Sequence, residues 1–264
     1  MRIAFSIIAC ALLACCAIQS PQAGPVGFRL PAKSFVNPTS IPGLKLWLDA
    51  SQITGLSDGD SVTNWFDLSG NTNDFSQSTA SKRPLYKTAV QNGLPGVLAD
   101  GVDDIMESAS VNWGAYDKAT VFCVFKNPSF SASEIVYERS SDYNANYGAF
   151  ILSSDATYIY NSIRATSSYS LVSVAAASGV VLTKIDLTLT TESLTATLNG
   201  AAFTNRSFDG YGGNFGNYAN YIFGRVGGGF PMSGYLLEMG IYLGEIGDPA
   251  RAQLTTYLRN KWGY

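Results

Sequence analysis

Val62-Thr63-Asn64-Trp65-Phe66-Asp67-Leu68-Ser69-Gly70-Asn71-Thr72-Asn73-Asp74, followed by Asp100-Gly101-Val102-Asp103-Asp104, decides how this 264-residue chain folds. Each segment sets apolar strand residues beside a short turn dense in carboxylates and amides. Asp, Asn, Ser and Gly turn a chain tightly because they bond their own backbone or tolerate positive φ. Neither segment holds a catalytic nucleophile, and the chain contains no histidine at all. That absence excludes Ser-His-Asp and Cys-His mechanisms, the usual zinc sites and the commonest general base near neutral pH.

Working outward, Leu44, Leu46 and Leu48 alternate with Lys45, Trp47 and Asp49, the period of a half-buried strand. Further strands are predicted at 96–99, 105–108, 119–126, 134–138, 147–152, 157–161, 170–175, 221–225 and 234–242. The best defined pair is 181–190 with 193–199. Thr191-Glu192 turns the chain between them, and Asn199-Gly200 closes the second strand with residues suited to positive φ. Only 14% of residues are charged, while glycines number 26 and tyrosines 15, which suits pleated strands joined by tight turns. Many short strands with no helices between them predict a sandwich rather than a parallel sheet. One helix is expected at the end, with Asp248 as N-cap, Pro249 at the first position and 250–261 following. Leu254, Tyr257, Leu258 and Lys261 share a face that can lie on the sandwich.

The N-terminus reads Met1-Arg2, then an uncharged apolar run to Ile18 and small residues to Gly24, which predicts a secretory signal peptide over 1–23. Leu13-Ala14-Cys15-Cys16 offers a second reading, a lipid anchor at Cys15 or Cys16. A third is the uncleaved hydrophobic N-terminus of a virion protein. Residues 24–43 carry Pro25, Pro31, Pro38 and Pro42 and read as a proline-rich linker, with the folded domain over 44–264. The mature domain then keeps one cysteine, Cys123, in an apolar run where it is expected as a buried small hydrophobe. No transmembrane span is expected in the mature chain. Net charge is −3 with no cluster of lysine or arginine, so a nucleic-acid partner is not expected.

Five pieces together resemble the laminin G-like branch of the concanavalin A-like lectin/glucanase superfamily. They are Leu46-Trp47-Leu48-Asp49-Ala50, the Trp65 to Asp74 turn, the segment from Arg83-Pro84 to Asp104, the Asn199-Gly200 hairpin, and 234–242 with the ending Lys261-Trp262-Gly263. The resemblance implies an all-β, jelly-roll β-sandwich of two antiparallel sheets with a short C-terminal helix. It also implies a module that binds rather than reacts. Glycosidases of this superfamily place two carboxylates about 5 Å apart on one strand. Glu134 and Glu138 are expected to share a face at a spacing of four along a strand, but no aspartate lies between them. Glu238 reads as a strand-edge residue.

Two sites are candidates. Asp67, Asn71, Asn73 and Asp74 could supply oxygen ligands to calcium, with Asp100, Asp103 and Asp104 completing the shell if the loops meet. The alternative is that these side chains satisfy their own turns, and that Asp100, Asp103 and Asp104 cap the strand after them. The second candidate is a ligand surface from two aromatic, amide-rich loops, with Tyr143, Asn144, Asn146 and Tyr147 on one and Asp209, Tyr211, Asn214 and Tyr218 on the other. Sugars present flat apolar faces rimmed by hydroxyls, which tyrosine rings beside amides match; the same residues dominate adaptable protein-binding loops. Plain surface turns are the alternative. Asn205-Arg206-Ser207 matches a glycosylation acceptor, and Gly224 to Gly229 lacks the strand–helix context of a phosphate loop.

The expectation is a secreted or envelope-displayed, non-catalytic module that recognises carbohydrate or another cell-surface ligand, with calcium as an optional cofactor. A structural or adhesive component of a bacteriophage particle is the rival, its partners being virion proteins. A glycoside hydrolase is the third reading.

Overall fold

The structure, a computed structural model, describes residues 36–109, 111–130, 132–144, 148–164, 169–187, 193–207 and 214–264. The leader and most of the linker lie outside this set. Along the chain run β1 (Leu44–Asp49), β2 (Asn64–Trp65), β3 (Phe75–Ser76), β4 (Leu85–Gln91), β5 (Leu94–Asp100) and β6 (Met106–Ser108). Next come β7 (Lys118–Lys126), β8 (Glu134–Arg139), β9 (Phe150–Ser154), β10 (Tyr158–Arg164), β11 (Tyr169–Ala175) and β12 (Gly179–Asp186). The last are β13 (Ser193–Leu198), β14 (Ala201–Ala202), β15 (Thr204–Ser207), β16 (Asn220–Ile222) and β17 (Ser233–Leu243), followed by α1 (Gly247–Trp262).

These strands form two antiparallel sheets in a jelly-roll β-sandwich. The first has the order β14-β13-β12-β7-β17-β5-β4, with β1 also paired to β17. The second runs β15-β11-β10-β9-β8-β16-β6-β3-β2. Leu46 and Leu48 of β1, Val121, Cys123 and Phe125 of β7, and Met239 and Ile241 of β17 point between the sheets. There they meet Tyr137, Phe150, Leu152 and Ile222 of the second sheet. Cys123 is a fully buried free thiol, pushed above its ordinary pKa by that burial.

The first sheet is apolar on its other face as well. Trp47, Phe122, Val124, Leu182 and Leu237 form a second core with Leu254, Leu258 and Trp262 of α1. A strand buried on both faces reads as a continuous apolar run, which is why 121–125 shows no alternation. The predicted helix face is therefore the one that docks, with Trp262 added to it.

Three expectations about local geometry need correction. First, α1 starts at Gly247, its N-cap is Ile246, and Asp248 lies in the first turn against the Arg251 guanidinium. The Glu245 carboxylate serves the helix start instead, accepting from Gly247 N (2.9 Å) and Arg251 Nη1 (2.6 Å). Second, Glu238 is not at an edge. β17 lies between β7 and β1, and the Glu238 carboxylate is wholly buried beneath α1. It accepts from Trp47 Nε1 (2.8 Å), Trp262 Nε1 (2.7 Å) and Lys261 Nζ (2.8 Å). Third, the register of β8 slips between Ile135 and Tyr137, so Glu134 pairs with Ser154 and Glu138 with Ile151. Ser154 and Ile151 lie on opposite faces of β9, so Glu134 and Glu138 do too.

The packed core reaches back before β1. Pro38 to Ser40 form a 3-10 turn, Ile41 is buried in the helix-side core, and Tyr242 Oη donates to Pro38 O (2.9 Å). β4 joins β5 through Asn92-Gly93, both at positive φ (49° and 74°), the pairing a two-residue hairpin needs. Asn199 and Gly200 likewise take φ of 51° and 89° between β13 and β14.

Gly240 faces Trp47 across the β1–β17 ladder. A Cβ there would sit 2.5 Å from the Phe122 ring and 2.8 Å from Leu46 O. Gly240→Ala is expected to destabilise the fold by about 1–3 kcal/mol, the usual cost of overpacking, read as a lower urea midpoint with an unchanged slope.

Candidate functional site

The turn of the proposed calcium ligands is built from backbone-directed hydrogen bonds. Asp67 Oδ1 accepts from Trp47 N (2.9 Å) and Ser69 N (2.8 Å), and Oδ2 from Ser69 Oγ (2.8 Å) and Asn73 N (3.0 Å). Asp74 Oδ1 accepts from Asp67 N (2.7 Å). The amides of Asn71 and Asn73 donate to Leu44 O (3.2 Å) and Lys45 O (2.7 Å). This is the self-satisfying turn, and it also pins β1: both oxygens of Asp67 each hold two donors that an incoming cation would have to displace. Among the described residues no three Asp, Glu or Cys side chains converge as a metal cluster.

Asp100 and Asp104 close a second turn of the same kind. Asp100 Oδ1 accepts from Val102 N (2.8 Å), and Asp104 Oδ2 from Asp100 N (2.9 Å). Burial pushes the Asp104 carboxyl up to about 6, and the charges of Asp100 and Asp103 add to the rise.

The two amide-rich loops are reported in part. Asn146, Tyr147, Asp209 and Tyr211 lie outside the described residues. Tyr143, Asn144, Asn214 and Tyr218 are described. Asn144 and Asn214 are exposed, with Asn214 Nδ2 donating to Gly114 O (2.9 Å). Tyr218 packs inward, its ring 4.9 Å from the guanidinium of Arg139.

Arg139 joins the loops, and the sequence reading missed it. The side chain is fully buried, and its guanidinium lies 4.0 Å from the Trp113 ring centroid. Nη1 donates to Gly148 O (2.9 Å), at the end of the first loop. Nη2 donates to Gly216 O, in the second. A planar fork of donors can hold two carbonyls while stacking on an aromatic face, which suits arginine and no other side chain. Asn217 Oδ1 accepts from Trp113 N (2.8 Å) and Gly114 N (2.9 Å), tying the second loop to the 112–116 turn.

The other face of the second sheet carries a different group. Glu107, Tyr221 and Glu138 stand abreast on β6, β16 and β8 by register. Glu138 accepts from Arg225 Nε (3.0 Å) and from Ser140 Oγ, and burial pushes its carboxyl above the ordinary glutamate value. The Arg225 guanidinium lies 5.5 Å from the Tyr143 ring and 5.0 Å from that of Phe230, which is exposed. Tyr143 Oη donates to Ser162 Oγ (2.9 Å) on β10. Beside them a groove of about 520 Å³ opens between Ser76, Gln77, Glu107, Tyr221 and Gly227. An arginine fixed between aromatic rings, next to a polar groove, can present hydrogen-bond donors and flat apolar faces together. No described helix is long and apolar enough to cross a membrane.

Two measurements follow from this geometry. Arg139→Lys keeps the charge but loses the fork and the stacking, and it is expected to cost about 1–3 kcal/mol in urea unfolding. The Asp104 carboxyl keeps its proton in the folded protein from its ordinary 3.8 up to about 6, so the folded state binds more protons in that window. Stability from this group therefore falls as pH rises from about 4 to 6. Asp104→Asn is expected to flatten that slope and to raise stability at pH 7 by about 1–3 kcal/mol, measured by denaturation at several pH values.

No family model matches the sequence, and no curated protein matches it. Among solved structures the chain is similar to the binding domain of botulinum neurotoxin serotype D, with a TM-score of 0.55 at 10% identity, covering 84% of this chain and 52% of that one. It is similar also to the binding domain of botulinum neurotoxin DC in complex with SialylT, with a TM-score of 0.57 at 11% identity, covering 82% and 52%. The chain thus spans about half the length of the solved domains it matches. At such identity the likeness is one of fold, and the fold is the β-sandwich that the strand pattern led to.

Proposed function

We infer that this protein is a non-catalytic recognition module, displayed outside the cell or on its envelope, that binds carbohydrate through the outer face of the second sheet. The observation that carries this reading is the Tyr143–Arg225–Glu138–Tyr221 group beside its groove. The middle of the equivalent face of the first sheet is covered by α1. The remaining outer face combines aromatic rings, an anchored guanidinium and hydroxyls, which together match the apolar faces and hydroxyl rims of a sugar. Glu138 already accepts from Arg225 and Ser140, so its part is to aim the arginine rather than to donate a proton to a glycosidic oxygen. Solved structures of the same fold include binding domains, one of them in complex with SialylT, which is in keeping with this reading.

The test is a glycan array probed with the full chain, with and without calcium, followed by titration of any glycan retained. Arg225→Ala and Tyr143→Ala are each expected to weaken binding at least about tenfold, near 1.4 kcal/mol, without lowering the urea midpoint by a comparable amount. Binding that survives both substitutions would place the ligand elsewhere. An array with no retained glycan in either condition would count against carbohydrate as the ligand.

A further inference from the structure

We propose that Lys261 and Asp49 become joined by an intramolecular isopeptide bond, with Glu238 as the proton-transfer residue. Lys261 Nζ lies 2.5 Å from Asp49 Oδ2 and 2.8 Å from Glu238 Oε2. Asp49 is 1% exposed, Glu238 0% and the Lys261 side chain 15%. The three groups thus meet in one largely buried space, between β1 and α1, with Asp49 and Lys261 212 residues apart in sequence.

Two carboxylates with one ammonium carry a net negative charge, and burial without water disfavours it. One further proton makes the cluster neutral. Condensation requires the arrangement with a free amine and two carboxylic acids, which differs from ammonium, carboxylate and carboxylic acid by one proton moved from nitrogen to oxygen. The nitrogen stands at hydrogen-bond distance from Asp49 Oδ2, next to the carbon it must reach.

The remaining contacts suit the step that follows. Asp49 Oδ1 accepts from Ser51 N (2.9 Å) and Ser51 Oγ (2.7 Å), two donors placed on the oxygen that gains negative charge when nitrogen attacks. Oδ2, the oxygen facing Lys261, is then the one that leaves. Glu238 is held in place by the two indole N–H groups, Trp47 on Oε1 and Trp262 on Oε2. The Nζ–Cγ bond forms, Glu238 takes a proton from nitrogen and returns one to the departing hydroxyl, and the Cγ–Oδ2 bond breaks. One amide and one water result, Glu238 ends as it began, and no co-reactant is consumed. Docking of α1 on β1 supplies the proximity, which is the main requirement of such a condensation. The bond would tie the first strand to the last helix covalently, so that a pull on the chain ends is carried by an amide rather than by helix packing.

Intact-mass measurement of the full chain in denaturant, with peptide mapping, tests this directly. The expected result is a chain lighter by one water than its own termini require, and a branched peptide joining the Asp49 and Lys261 segments that trypsin does not separate. Lys261→Arg, which keeps the positive charge, and Asp49→Ala are expected to restore the full mass, and Glu238→Gln to slow or abolish the link. A folded wild-type chain at full mass with only linear peptides would overturn the proposal and leave a plain ion pair. The same loss of mass in Lys261→Arg would overturn the assignment to this lysine.

Discussion

A carboxylate with no exposure, Glu238, is the constraint on which the rest of this sandwich depends. Removing such a charge from water costs several kcal/mol unless donors replace the lost hydration. Here the replacements come from both ends of the domain, Trp47 from β1 and Lys261 and Trp262 from α1. Burial and the neighbouring Asp49 push the carboxyl up, while Lys261 and Trp262 pull it back. The site is satisfied only when β1, β17 and α1 are all in place. The apolar surround of Phe122, Leu254 and Leu258 supplies the non-directional part of the same closure. Polar and apolar contacts therefore select one docking of the helix, and hydrogen-bond geometry sets its register.

That docking gives the two sheets different outer faces. Where α1 covers the first sheet, the outer face is core. The hairpin of β4 and β5 completes the seal, since Gln91 Nε2 and Asn92 Nδ2 donate to Trp262 O (3.0 Å) and Lys261 O (2.9 Å) at the helix end. Gly263 ends the helix at φ 74°, where its N–H reaches Arg259 O (2.8 Å). The recognition proposed for this protein is accordingly assigned to the second sheet. Two carbonyls at the described ends of the amide-rich loops, Gly148 O and Gly216 O, are held from within by the Arg139 guanidinium.

Periodicity showed β1, β7, β12, β13, β17 and α1 plainly, because each either alternates or carries a long apolar face. The two-residue strands β2, β3 and β14 are too short for any periodic signal. β4 was missed although its turn, Asn92-Gly93, is a strong hairpin signature; its sequence mixes Lys87, Thr88 and Gln91 among apolar residues and hides the alternation. The turn chemistry of Asp67 was readable, since serine, glycine and asparagine beside an aspartate bond their own backbone wherever they occur. Arg139, Glu138 and Glu238 were not readable as anchors. A charged residue at a strand position looks the same whether it faces solvent or a buried set of donors, and only the register tells the two apart. The loop tyrosines and asparagines were found by composition, which carries no direction. Tyr143 turned towards the sheet face and Tyr218 towards Arg139 for reasons that lie in their neighbours.

The register at Glu238 and Glu138 is in turn decided by one irregularity each. In β17, Leu236 pairs with Phe125 and Glu238 with Val124, so Leu237 is an extra residue and both Leu237 and Glu238 face α1. Regular alternation would have turned Glu238 into the inter-sheet core, among Cys123, Phe125 and Phe150, where no donor awaits it. In β8 the extra residue is Val136, which with Tyr137 faces the core. The shift sends Glu138 outward to Arg225 and Arg139 inward to Trp113. A one-residue slip moves every later side chain to the opposite face. Each of these two bulges thus exchanges the faces of the residues after it, one directly before Glu238 and the other two residues before Glu138. The helix latch and the anchored arginine on the second sheet's outer face arise from the same device, one extra residue in a strand.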